Sequence, residues 1–165
     1  MPSTATHSRS IANPLDRVEN LAESLSWNLD RTSDCEIVMA VGGGWADLNI
    51  SLIWREDLES LHFCCTPELR VPGKRRDEVL RLVSLINAQL MQGHIDMWAD
   101  GTIIYRNALL LSGGAEANDA QCRAMVALGV DAMHHYFPAF NFVIWAGLDA
   151  EKALESALLE TMGEA

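Results

Sequence analysis

The residues with chemical potential fall into a few small groups. Gly42-Gly43-Gly44 has the composition of a phosphate-cradling loop, but such loops need a helix N-terminus and a Lys-Ser/Thr pair after them. Here strand-like patterns flank the glycines on both sides, so a hairpin turn is expected. His62, Cys64 and Cys65 carry metal-ligating side chains. On a strand only His62 and Cys64 share a face, and a site would need two more ligands from elsewhere. His94 and Asp96 share a strand face in the same way. His134 and His135 are adjacent, so on a helix they point about 100° apart and do not converge on one ion. Near a helix C-terminus they would complement the dipole. Cys35, Cys64, Cys65 and Cys122 show no C-x-x-C spacing and no nucleophile signature. They read as reduced thiols of a cytoplasmic protein. No catalytic residue, metal site or cofactor is expected.

Two surface features remain. Arg70, Lys74, Arg75 and Arg76 form a basic cluster around Pro72-Gly73, either a solvated loop or a docking spot for an acidic segment or a second copy. Trp98 follows a strand pattern and precedes Asp100-Gly101, a strong signal for a type I′ turn. A two-residue turn there pairs Met97 with Ile104 and Ile95 with Arg106 on one face. It puts Trp98 opposite Ile103, and Asp96 opposite Tyr105, on the other. Trp98, Ile103 and Tyr105 are then candidates for an outward binding surface or dimer seam. Arg106 becomes the odd residue on the core face, snorkelling or lining a pocket between sheet and helices.

The elements that must position these groups follow from periodicity. Asn13-Pro14 caps a first helix packed through Leu15, Val18, Leu21, Ala22 and Leu25 and ending near Trp27. From Cys35 to Thr66 the period is two. A turn at Gly43-Gly44 pairs Met39 with Leu48, Ile37 with Ile50 and Cys35 with Leu52, all apolar and on one face. A one-residue slip would mix the faces. A turn at Glu56-Asp57 continues that face by pairing Leu52 with Leu61, Ile50 with Phe63 and Leu48 with Cys65; a four-residue loop of the same parity fits equally. Val79, Leu82, Val83, Ile86 and Leu90 mark a second helix with Gly93 as its stop. After the second hairpin, Asn118 with Gln121 forms a capping box for a third helix, which Pro138 should interrupt. Asp149 caps a last helix packed through Ala153, Leu154, Ala157 and Leu158. The order α-β-β-β-α-β-β-α-α predicts an α+β fold, an antiparallel sheet of about five strands against helices.

The chain has 165 residues, 49 % hydrophobic, with a net charge of −11. That supports a packed core and argues against nucleic-acid binding, which needs clustered Lys and Arg. No apolar run reaches the roughly 18 residues of a spanning helix, so no membrane role is expected. Residues 1–12 read as a frayed tail and 13–165 as one domain.

Several stretches resemble the YbjN-domain family. They are the strand with Trp45, Asp47 and Trp54, then Leu85-Ile86-Asn87 before Gly93, then Ile103 to Asn107 running into Leu109 to Gly114, and finally Tyr136-Phe137-Pro138-Ala139-Phe140. The resemblance covers about residues 14 to 158. It implies a fold similar to type III secretion chaperones, small acidic proteins that are commonly dimeric and bind client segments. It implies a sensory transduction regulator and brings no catalytic residues. The helical material after Pro138 departs from that pattern. The expectation is a non-enzymatic cytoplasmic protein-binding module, a homodimer with a protein client. The alternatives are a small-molecule sensor with a pocket near Arg106, or a hydrolase or metalloenzyme.

Overall fold

In the computed structural model, which describes residues 11–163, α1 (Pro14–Leu25) starts as its residues require. The Asn13 side chain accepts the Leu15 N–H at 3.0 Å, and Pro14 occupies a position that has no intrahelical N–H bond to lose. Leu15, Val18, Leu21 and Ala22 face the core. Ten of the twelve residues expected as a tail, 1–10, lie outside the described residues.

Among the described residues the sheet has six strands, one more than the periodicity predicts: β1 (Leu29–Ser33), β2 (Glu36–Val41), β3 (Leu48–Arg55), β4 (Ser60–Pro67), β5 (His94–Met97) and β6 (Ile103–Leu110). The spatial order is β1-β2-β3-β4-β6-β5 and every pairing is antiparallel. The extra strand, Leu-Asp-Arg-Thr-Ser, is too polar to announce itself. Its place comes from the free edge of β2 and from Arg31, whose guanidinium donates to Asp16 and Glu19 on α1.

The first two registers keep the predicted faces but shift by two residues. Met39 pairs with Ile50 and Ile37 with Leu52, because residues 42–47 form a longer connection than a two-residue turn. Gly43 in that connection lies against α3: a Cβ there would fall 2.1 Å from the His134 Nε2. A helix distant in sequence thus packs against this connection and leaves no room for a side chain at residue 43. Leu52 pairs with Phe63 across the four-residue loop 56–59, with Glu59 in the left-handed region at φ 45°. An even shift leaves every side chain on its own face. Cys35 lies outside the strand, in the turn before β2.

α2 (Arg76–Asn87) stops before Gly93. The Asn87 amide donates to the Ile95 carbonyl and accepts the Ile95 N–H, both at 2.8 Å. It thereby occupies edge groups of β5 that another strand would pair with. α3 (Asp119–Ile144) opens on the Asn118–Gln121 capping box and runs through Pro138 without interruption. Residues Tyr136 to Phe140 are all buried, and that packing outweighs the hydrogen bond the proline cannot donate. Asp149 caps α4 (Ala150–Gly163) by accepting the Lys152 N–H at 2.9 Å, which lowers its carboxyl below the usual range.

α1, α2 and α3 cover one face of the sheet, and α4 lies on α2 and α3. The core between them holds Ile37, Leu52, Phe63, Ile95, Ile103 and Tyr105. Phe63 and Tyr105 meet edge to face at 6.1 Å. α3 approaches closely only because residue 129 is glycine, where a Cβ would fall 2.1 Å from the Phe63 ring. No helix among the described residues is long and apolar enough to cross a membrane.

Candidate functional site, the open face of the sheet

Among the described residues no helix covers the other sheet face. An antiparallel sheet can present one face to water, and such a face is normally polar. Here it is mixed. Registers place Asp30, Val38, Ser51, Cys64, Arg106 and His94 in one row across all six strands. Glu36, Ile53, His62 and Ala108 form the row on one side, and Ala40, Asn49, Thr66, Ile104 and Asp96 the row on the other. The face forms an open groove of about 940 Å³, with Val38, Ile53, Ile104 and Trp98 as its main apolar lining. Ile104 is 1 % exposed although it points away from the helices.

Trp98 lies beside this groove and is 48 % exposed, on the outward side as its parity predicts. Ile103 and Tyr105 do not join it. Both are 0 % exposed in the core, so their outward assignment is corrected. The cause is the hairpin loop. Met97 pairs with Ile103, not Ile104. The Gly101 N–H donates to the Trp98 carbonyl at 3.0 Å and the Trp98 N–H to the Thr102 carbonyl at 2.9 Å. Asp100 caps the Thr102 N–H at 3.0 Å, which holds its carboxyl low. Gly101, at φ 86°, is thus the third residue of a three-residue loop rather than the second of two. One extra residue turns β6 over.

The same inversion moves Arg106 off the core face onto the open face, where it is exposed opposite Cys64 and His94. The anticipated pocket between sheet and helices around Arg106 therefore does not exist; Arg106 lines the open groove and a smaller depression of about 360 Å³ with His62 and His94.

The basic cluster divides. Arg70 pairs with Asp100 at 2.9 Å, and Arg76 donates to the Trp98 and Ala99 carbonyls at 3.2 and 3.3 Å. The Val71 N–H donates to the Gly101 carbonyl at 2.9 Å. Together they clamp the loop that presents Trp98. Arg75 instead donates to the carbonyls of Val143 (2.7 Å) and Leu148 (2.9 Å), tying the α3–α4 connection. It is a structural group rather than a free docking cation; Lys74 and Arg70 are the exposed members, Arg70 in its ion pair with Asp100.

The nucleophile candidates are not activated. Burial pushes the Cys65 thiol up to about 12. Burial also raises Cys64, which the Arg106 charge and the Ser51 hydroxyl offset only in part. A reactive thiol needs the opposite shift. All four cysteines are free, and no cluster of three metal-ligating side chains exists among the described residues. His62 and Cys64 do share the open face, as their spacing predicts. The Nε2 atoms of His62 and His134 are buried without a hydrogen-bond partner. Val38, Ile53, Ile104 and Asp30 were missed as site residues; the two-residue alternation of β2 and β3 already held Val38 and Ile53 on the solvent parity, where an apolar residue is the signal.

The model of one protein family, YbjN, described as "Putative bacterial sensory transduction regulator", matches residues 14–142. Solved structures are similar in fold, among them two. One, titled "Crystal structure of YbjN, a putative transcription regulator from E. coli", shares 12 % identity at a TM-score of 0.56, covering 92 % of this chain and 97 % of that one. The other, titled "Crystal Structure of the ExsC-ExsE Complex", shares 15 % identity at a TM-score of 0.47, covering 73 % of this chain and 90 % of that one. No curated protein matches the chain.

Proposed function

From the premise that the chain belongs to the YbjN family, we propose a non-enzymatic protein-binding module, chaperone-like or regulatory, that docks a client segment on the open sheet face. The single observation that carries this reading is the bare face with its apolar groove and clamped Trp98. Apolar side chains on a solvent-facing sheet cost solubility unless something covers them. The groove is too open to enclose most of a small ligand, as small-molecule sites do, and suits a segment of a larger partner. Four free thiols fit a reducing cytoplasm, and the net charge of −11 keeps such a binder dispersed. In this reading the protein works as a homodimer.

The test compares baits. Wild type and Ile53→Asp, the latter checked for folding by circular dichroism, are used for capture from a native extract with mass spectrometry. A partner retained by wild type and lost by Ile53→Asp supports the reading; a partner retained equally by both overturns it. Light scattering at micromolar concentration that finds only the 18.2 kDa species overturns the dimer.

A further inference from the structure

The row that crosses all six strands is charged at its two ends. Asp30 lies at the β1 end, with Glu36 in the adjoining row. Arg106 and His94 lie at the other end, with His62 in the adjoining row. Val38, Ser51 and Cys64 occupy the middle of the row. Neither Asp30 nor Arg106 has an ion-pair partner among the described residues. Asp96 is the other carboxylate on the Arg106 side, and it accepts its neighbour's Met97 N–H at 2.8 Å. Glu36 accepts from the Thr32 hydroxyl at 2.7 Å. Among the described residues the β1 end of the groove thus carries two carboxylates without an ion-pair partner, Asp30 and Glu36, and the other end the Arg106 guanidinium.

Dimensions restrict what can lie between them. Four strand spacings separate β1 from β6, about 19 Å. The groove lining carries Asn49, Ser51 and Thr66, whose side chains can pair with the free backbone groups of an extended segment, whereas a helix keeps those groups for its own hydrogen bonds. At about 3.3 Å per residue, 19 Å corresponds to six steps of extended chain, and the first and seventh side chains then point the same way.

Resting on the docking reading above, we propose that the occupant is an extended partner segment laid across the strands, with a basic side chain over Asp30 and a carboxylate over Arg106 six residues apart, and apolar side chains between. The segment is dipolar, so it needs no net charge opposite to that of this chain. Arg106 is the anchor because a guanidinium grips a carboxylate in two parallel hydrogen bonds. His94, exposed beside it, is a further potential donor. Val38, Ile53 and Ile104 take the alternate apolar side chains.

The test uses end-blocked heptapeptides of sequence Lys-Ser-Val-Thr-Leu-Ser-Glu and counterparts with Lys, Glu or Gln at both ends. Each is titrated into the full ¹⁵N-labelled chain at low salt, with amide shifts followed. The expected result is shifts at Val38, Ser51, Cys64 and Arg106, with the Lys/Glu peptide about fivefold tighter than the Gln/Gln peptide. Arg106→Glu turns the preference to Lys/Lys, and Asp30→Lys combined with Glu36→Gln turns it to Glu/Glu. Equal affinity for all four peptides, or an unchanged order in Arg106→Glu, overturns the charge axis even where the shifts stay on the open face. Absent binding, or shifts confined to the helical side, also overturns it. The Ile53→Asp capture experiment judges the docking face separately.

Discussion

Trp98→Ala and Tyr105→Ala, seven residues apart on one hairpin, should have opposite consequences. Tyr105 is 0 % exposed, its ring meets Phe63, and its hydroxyl donates to the Gln92 carbonyl at 3.2 Å. Burying an aromatic removes roughly 150–250 Å² from water, and truncating it to Ala also leaves a cavity. The expected loss is about 3–5 kcal/mol. For a chain of this length each kcal/mol moves the Tm by roughly 2–4 °C, so Tyr105→Ala lowers it by about 6–20 °C. Tyr105→Phe, which removes only the hydroxyl, should cost about 1 kcal/mol. Trp98 is 48 % exposed at a loop whose backbone Arg76 and Gly101 hold independently of the indole. Its truncation should cost about 1 kcal/mol or less while weakening partner binding. Urea unfolding followed by circular dichroism reads all three. A Trp98→Ala loss equal to or larger than that of Tyr105→Ala would refute the three-residue loop and restore the opposite parity for β6.

Gly43→Ala places a methyl 2.1 Å from the His134 Nε2 and 2.8 Å from the Ala46 carbonyl, and should destabilise by about 1–3 kcal/mol. Adding His134→Ala should recover part of that loss; a strictly additive double mutant would show that the β2–β3 connection does not rest on α3. Asn87→Ala leaves two edge groups of Ile95 without their partner, which should cost about 1–3 kcal/mol and speed hydrogen exchange at the Ile95 amide. Exchange at the wild-type rate would mean the amide bridge is not formed. Burial raises the Cys65 thiol to about 12, so the folded state holds a proton that the unfolded state releases near the ordinary thiol value. Its contribution is present below that ordinary value and is lost as pH climbs toward 12. Denaturation across that alkaline range should therefore show falling stability, and Cys65→Ala, less stable overall, should show a flatter decline. Equal slopes would sink the assignment.

Much of the scaffold was legible from residue order. The caps at Asn13, Asn118 and Asp149 are local: a side-chain oxygen reaches an amide two or three residues on, so spacing is enough. The buried faces of β2, β3 and β4 are also local, because a strand alternates regardless of what it pairs with. Both survived register shifts of two. β1 was not legible, since its pairing with β2 and its ion pairs with α1 come from outside its own five residues. Nor was the passage of α3 through Pro138, where burial decides against local propensity.

The candidate site divides the same way. Trp98's outward direction follows from its own strand, but the company it keeps depends on whether the loop after it has two residues or three. Asp100-Gly101 is compatible with both. The choice rests on Asp100 capping Thr102, on Gly101 at φ 86°, and on the clamp from Arg70, Val71 and Arg76. That one residue moved Ile103 and Tyr105 into the core and Arg106 out of it. The sequence by itself determined which side chains alternate together within each strand and where most helices begin, because those depend on neighbours a few residues away. Only the tertiary structure decided which strand faces coincide, that the helices cover one sheet face, and that Asp30 and Arg106 share one row, because those depend on loop geometry and on contacts between distant parts of the chain.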